Sequence, residues 1–208
     1  MTDIHSRIIA AAAKGELSSL GFQRQGRSRL WLADRGSWLN VVEFTPSRWS
    51  KSVSLMNAAH WLWSGAGFMS YNEAVDSHRH ADFETEGQFH KEVTDIAIIA
   101  RANALELDQS FSSFDAIASH VVQRARSSPD RMGPSWWGYQ AGIASGIVGK
   151  LDEAEYFLRR VTDERVVDRA ALLLPFTNNP AAFKNKVNDL ISQQRASLRL
   201  KPLDSPAL

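Results

Sequence analysis

Between Leu20 and Trp63 the chain carries five of its seven tryptophans, Trp31, Trp38, Trp49, Trp61 and Trp63, in segments where apolar residues alternate with period two. Indole brings a large apolar area and a single N–H donor. Tryptophans gathered on alternating positions therefore mark either a core against a sheet or a half-wet recognition surface. The stretch reads as a twisted sheet with aromatic area on at least one face, and it contains no catalytic motif.

The flanking patterns give the elements. Ile4, Ile8, Ala11, Ala12 and Leu20 keep a helical spacing that Gly21 is placed to end. Leu30-Trp31-Leu32 and Trp38-Leu39-Asn40-Val41-Val42-Glu43-Phe44 flank Asp34-Arg35-Gly36, which predicts a hairpin. A third strand is predicted from Ser52 to Trp63, with Val53, Leu55, Asn57, Ala59, Trp61 and Trp63 on one face and Met56, Ala58 and His60 on the other. Ser64-Gly65-Ala66-Gly67 breaks it. Thr85 and Gln88 form a capping box for a helix with Phe89, Val93, Ile96, Ala97, Ala100 and Ala104 inward, and Ser113 caps another. Pro129 to Pro134 reads as a joint, beyond which the pattern is helical, with Asn179-Pro180 opening the last helix. The expected architecture is α+β: an N-terminal helix, an antiparallel sheet of three or four strands, and a helical C-terminal half packed on it. The division reads as 1–128 for the sheet domain, 129–200 for a helical extension within one compact unit, and 201–208 for a frayed tail.

Composition narrows the function classes. The chain has 208 residues and no cysteine, which removes disulfides, thiolate metal sites and a cysteine nucleophile, and points to a reducing compartment, the cytoplasm. The apolar run Ile8 to Ala13 is too short to span a bilayer, so no membrane partner is expected. A net charge of +1 does not by itself predict a nucleic-acid partner. The charge is unevenly spread: Arg24, Arg27, Arg29, Arg35, Arg48 and Lys51 dominate 20–51, whereas Glu73, Asp76, Asp82, Glu84, Glu86, Glu92 and Asp95 dominate 73–95. Pairing of these two segments across the fold is the expected use of that asymmetry.

The leader Gly21-Phe22-Gln23-Arg24-Gln25-Gly26-Arg27, with the strands Trp38 to Phe44 and Ser52 to Trp63, resembles a bacterial family known as domain of unknown function 4304, over roughly residues 5 to 125. The resemblance implies a fold segment and no activity. Further on, Tyr139-Gln140-Ala141-Gly142-Ile143 and Gly149-Lys150-Leu151-Asp152-Glu153-Ala154 are similar to one tetratricopeptide-like helical hairpin, with Gly142 and Ala154 at the small positions where two helices approach. A single copy reads as a packing device, because stacked repeats normally come in threes or more.

Three constellations carry candidate chemistry. In Asp76-x-His78-x-His80-x-Asp82-x-Glu84 a strand would project every ligand-type side chain to one side, and His78, His80 and Asp82 form a candidate metal set for a metal-dependent hydrolase. The core lacks the histidine that such hydrolases carry directly after the aspartate, since Phe83 stands there, and a solvated loop leading into the Thr85 cap is the commoner arrangement. Arg24, Arg27, Arg29, Arg35 and Arg48 with Trp31 or Trp38 form a candidate single-stranded nucleic-acid face, weakened by the nearby acidic segment. His60, Trp61, Trp63 and Tyr71 are the candidate contact residues of a groove between sheet and helices. Serine elbow, phosphate loop and dinucleotide fingerprint are absent, for Gly65-Ala66-Gly67 lacks both the third glycine and a βαβ setting. The expected function is non-catalytic binding of a protein or small-molecule partner, without a cofactor.

Overall fold

The structure is a computed structural model that describes residues 4–47, 50–75, 79–128 and 134–208. The elements run α1 (Ile4–Leu17), β1 (Gln23–Arg24), β2 (Leu30–Asp34), β3 (Trp38–Pro46), β4 (Ser52–Trp61), β5 (Glu73–Val75), β6 (His80–Asp82), α2 (Glu86–Ser110), α3 (Phe114–Ser127), α4 (Trp136–Ile147), α5 (Leu151–Arg159), α6 (Val167–Leu173) and α7 (Pro180–Ser197). The chain is α+β, with an N-terminal helix, an antiparallel sheet and a helical C-terminal half. The sheet has six strands where three or four were expected: order β1-β2-β3-β4-β5, with β6 also on β4. The additions, β1, β5 and β6, are two or three residues long, too short for alternation to show. No helix among the described residues is long and apolar enough to cross a membrane.

The chain divides into two compact units, one of residues 1–61 and 69–109, the other of 62–68 and 110–208. The dividing line after α2 therefore lies at 109/110 rather than 128/129, and α3, expected with the sheet, belongs to the helical unit. Most of the expected joint, 129–133, lies outside the described residues.

In the sheet unit the register Trp31↔Val42, Ala33↔Asn40, Val42↔Asn57, Phe44↔Leu55 and Trp38↔Trp61 puts these residues on one inner face. From that face Trp31, Ala33, Val42, Phe44, Val53 and Leu55 form a core with Ile8, Ile9, Ala13 and Leu17 of α1 and with Phe89, Val93, Ile96, Ala97, Ala100 and Ala104 of α2. The alanines of α2 bring its backbone near the strands, and two buried asparagines use that proximity. Asn57 Nδ2 donates to the Ala100 carbonyl at 3.0 Å, and Asn40 Nδ2 to the Ala104 carbonyl at 2.8 Å, one helical turn on. Asp108 Oδ1 accepts from Asn40 at 3.0 Å, and its carboxylate takes a bidentate grip from Arg35 at 2.8 and 2.5 Å. An amide placed in an apolar face is costly unless matched, so this seam holds α2 to one register on the sheet.

Local signals account for the element ends. Gly21 ends the first helical stretch with φ 82°, and Gly36 N donates to Asp34 Oδ1 at 2.9 Å to close the hairpin. Thr85 and Gln88 form the capping box, Gln88 N reaching Thr85 Oγ1 at 3.2 Å. Ser113 and Asn179 cap α3 and α7 by accepting from the amides of Ala116 and Ala182.

The helical unit is built round α4, whose residues from Gly138 to Ile147 are all buried against α3, α5 and α7. A Cβ at Gly142 would stand 2.7 Å from Leu158 Cγ and 3.2 Å from the Ala154 carbonyl oxygen, so these small residues set the α4–α5 approach. The tail lies along α7, with Arg195 Nε donating to the Lys201 carbonyl at 3.1 Å and the Leu208 amide to Asn188 Oδ1 at 3.2 Å.

Candidate functional site

The sequence alternation and register together define the outer face of the sheet. Its cross-strand rows are Asp34, Leu39 and His60; Leu32, Val41, Ala58 and Ala74; Leu30, Glu43 and Met56; Thr45, Ser54 and His80; and Ser52 with Asp82. Burial varies along these rows. Leu32, Leu39, Val41, Ala58, His60 and Ser52 are buried, Leu30, Glu43, Met56 and Ser54 are half-buried, and Asp34, Ala74, Thr45, His80 and Asp82 are exposed. On the middle strands the face is thus closed at His60 and open towards Thr45 and His80.

His60 fixes the closed end. It is 0 % exposed, and its Nδ1 lies 2.9 Å from the Ser70 carbonyl oxygen, 3.0 Å from Ser70 Oγ and 3.2 Å from the Ser70 amide nitrogen. Asn72 completes the clasp: its amide donates to the Ala59 carbonyl at 2.9 Å, and its Oδ1 accepts from the Trp61 amide at 2.8 Å and from Ser70 Oγ at 3.3 Å. Burial lowers the His60 pKa to about 4, against smaller upward pulls from the Ser70 backbone and the Asn72 side chain. The contacts of His60 with Ser70 hold the 69–72 segment against β4.

The clasp sets Tyr71 outward, 40 % exposed, with its hydroxyl donating to Glu43 Oε2 in the half-buried row. Burial first, then the hydrogen bond and negative charge of Glu43, raise the phenol's pKa above the ordinary 10, so it remains a donor. Leu30 and Met56 flank Glu43 on the neighbouring strands, at the short cross-strand spacing that brings side chains on one face into contact. The result is a carboxylate and a phenol framed by two apolar side chains at the edge of solvent. Glu43 and Met56 were not singled out in the sequence as contact residues. The alternation places Met56 opposite Trp61, but nothing local shows that Tyr71 folds back onto β3.

The contact set His60, Trp61, Trp63 and Tyr71 is corrected accordingly. Trp61 lies on the inner face, 0 % exposed, its ring 6.0 Å from Trp38 in edge geometry. Trp63 is also fully buried, because the chain leaves the strand at Trp61 and turns through a 3-10 segment, Leu62–Ser64, which belongs to the helical unit. Tyr71 alone of the four meets solvent.

Of the metal candidates, His78 lies outside the described residues, as does Asp76. His80 and Asp82 share the exposed face of β6, with His80 Nε2 3.2 Å from Asp82 Oδ1 and Nδ1 3.1 Å from Ser54 Oγ, so both ring nitrogens have protein partners. Among the described residues no three histidine or carboxylate side chains converge to hold an ion.

Several of the nucleic-acid candidates have partners within the chain, while Arg27 is exposed. Trp31 and Trp38 are buried and offer no face to a base. Arg24 donates to the carbonyls of Ser28 and Arg27, and Arg29 to Ser6 Oγ on α1; Arg48 lies outside the described residues. Arg35 pairs with Asp108 on α2, so this member of the basic stretch finds its partner beyond the acidic segment 73–95.

In the helical unit a cleft of about 570 Å³ is lined by Ser119, Val122, Gln123, Arg126, Lys150 and Glu153, among others. Two of its polar groups are spent on one another, since Glu153 accepts from Arg126 and from Ser145 Oγ. Compared with protein-family models, with curated proteins and with solved structures, the chain matches none.

Proposed function

We propose that this is a non-catalytic binding protein that meets its partner through the open end of the outer sheet face, centred on Tyr71, Glu43, Met56 and Leu30. One observation carries this reading: an exposed aromatic side chain is held to a carboxylate where the outer face turns from buried to open. An exposed aromatic locked by a hydrogen bond and flanked by apolar neighbours loses little freedom on binding, which is how contact residues gain affinity. The absence of cysteine fits an encounter in a reducing cytoplasm.

Site-specific photo-crosslinking tests the proposal. A benzophenone side chain at position 56, irradiated in the native cell, is expected to give a discrete adduct, and one at exposed Ser119 on α3 is not. Equal patterns from both positions, or no adduct at 56, would refute this contact surface.

A further inference from the structure

We infer that the partner presents a basic side chain, an arginine, to the open end of the outer sheet face, seated between the Tyr71 ring and the Glu43 carboxylate. The inference rests on the contact surface proposed above and gives it a chemistry.

Charge is the first ground. The strand positions of the outer face carry Asp34, Glu43 and Asp82, and neither lysine nor arginine. Of the cations near these strands, Arg24 bonds to its own turn, Arg29 to α1 and Arg35 to Asp108, and Lys51 stands over the Phe83 ring at 5.8 Å, while Arg27 and Arg79 are exposed off the strand positions of this face. The described strand positions of the face itself are therefore acidic, in a chain that is nearly neutral as a whole.

The second ground is the row that holds Glu43. Tyr71 takes one carboxylate oxygen, and no described residue takes the other. That oxygen accepts from a cationic donor, and the exposed Tyr71 ring offers a surface on which a planar guanidinium stacks. Leu30 and Met56 supply an apolar bed for the methylene stem of the same side chain. A lysine ammonium would use the carboxylate but gain less from the ring. An acidic segment would face three carboxylates without compensation.

The test is a titration of the full 15N-labelled chain with acetylated tri-arginine amide. Saturable amide shifts are expected at Leu30, Glu43, Met56 and Tyr71, weakening as salt rises, and acetylated tri-glutamate amide is expected to leave them unmoved. Glu43→Gln is expected to weaken tri-arginine binding about tenfold, by removing a charge-assisted bond. Tyr71→Leu removes both the stacking ring and its bond to Glu43, and is likewise expected to weaken tri-arginine binding about tenfold. If Glu43→Gln disturbs the fold, Tyr71→Leu with the salt series still decides the matter, and an unchanged affinity in Tyr71→Leu overturns the inference. Shifts that fail to saturate, or that survive undiminished at high salt, overturn the inference. A persisting crosslink from position 56 then leaves the contact surface intact and removes only the basic partner, whereas its absence removes both.

Discussion

His60 and His80 lie on the same face of one sheet, three cross-strand rows apart, and their surroundings give them opposite roles. His80 is exposed beside Asp82, while His60 is sealed beneath the 69–72 segment with its pKa lowered to about 4. Since the folded value lies below the unfolded 6.5, the unfolded chain takes up the proton first as pH falls. The His60 contribution to stability is therefore complete above pH 6.5 and is lost progressively towards pH 4. At pH 5 the loss amounts to about 2 kcal/mol. His120, also lowered by burial, acts in the same direction, so the His60 share is read as a difference between variants. Urea unfolding followed by tryptophan fluorescence at pH 7.5 and pH 5 should show His60→Gln, which keeps a polar group beside Ser70 but cannot titrate, losing less stability than wild type over that interval; equal losses would refute the buried neutral imidazole. At this scale the sequence is informative about direction and silent about depth. Alternation correctly sets His60 opposite Trp61, but what covers His60 arrives ten residues later through Ser70 and Asn72, and no local pattern announces it. The tryptophans were ambiguous for a related reason: indole suits a core or a wet surface equally, and tertiary packing decides for the core, against α1 and α2 for Trp31 and beside Phe114 for Trp63.

Helix starts and stops were the legible elements, because capping is a local interaction. The Thr85–Gln88 box, Ser113 and Asn179-Pro180 each act within four residues of where they stand. The short strands β1, β5 and β6 were not legible, because two or three residues give no period and their existence depends on a neighbour already in place. Glycines show how packing reverses a propensity rule. An exposed helical glycine replaced by alanine gains up to about 1 kcal/mol from reduced chain entropy. Gly15 on α1 has open space where a Cβ would stand, so Gly15→Ala is expected to stabilise the protein. Gly142 and Gly146 lie on buried α4, where a methyl would press on Leu158 and the Ala154 carbonyl, or overlap the Phe183 ring. Phe183 is itself fully buried and has nowhere to move. Overpacking of this kind costs about 1 to 3 kcal/mol, which exceeds the propensity gain. Thermal unfolding by circular dichroism should move up for Gly15→Ala and down for both α4 variants; a rise for Gly146→Ala would mean that the α4–α7 contact is looser than described.

For the whole molecule, the units do not follow the order of the chain. Proline, glycine and serine density pointed to a joint near 129–134, but membership of a unit is decided by contacts between residues distant in sequence, which composition does not record. Leu62–Phe68 shows this, since it follows β4 directly and yet belongs with residues 110–208. The Trp63 ring lies 6.4 Å from that of Phe114, Arg169 donates to the Gly65 carbonyl, and buried Gln194 bridges the segment by accepting from the Gly67 amide at 2.7 Å and donating to the Phe68 carbonyl at 3.0 Å. Without the segment, Gln194 loses these two partners and the helical unit loses the buried Trp63 side chain, whose packing carries most of the expected cost. Residues 110–208 produced alone should therefore unfold at a lower temperature than the same residues preceded by Leu62–Phe68 on a short glycine-serine linker. Calorimetry of the two chains reads the difference directly. Equal midpoints would show that the helical unit is complete from Ser110 onward, and that the seven residues after Trp61 are held by it without supporting it.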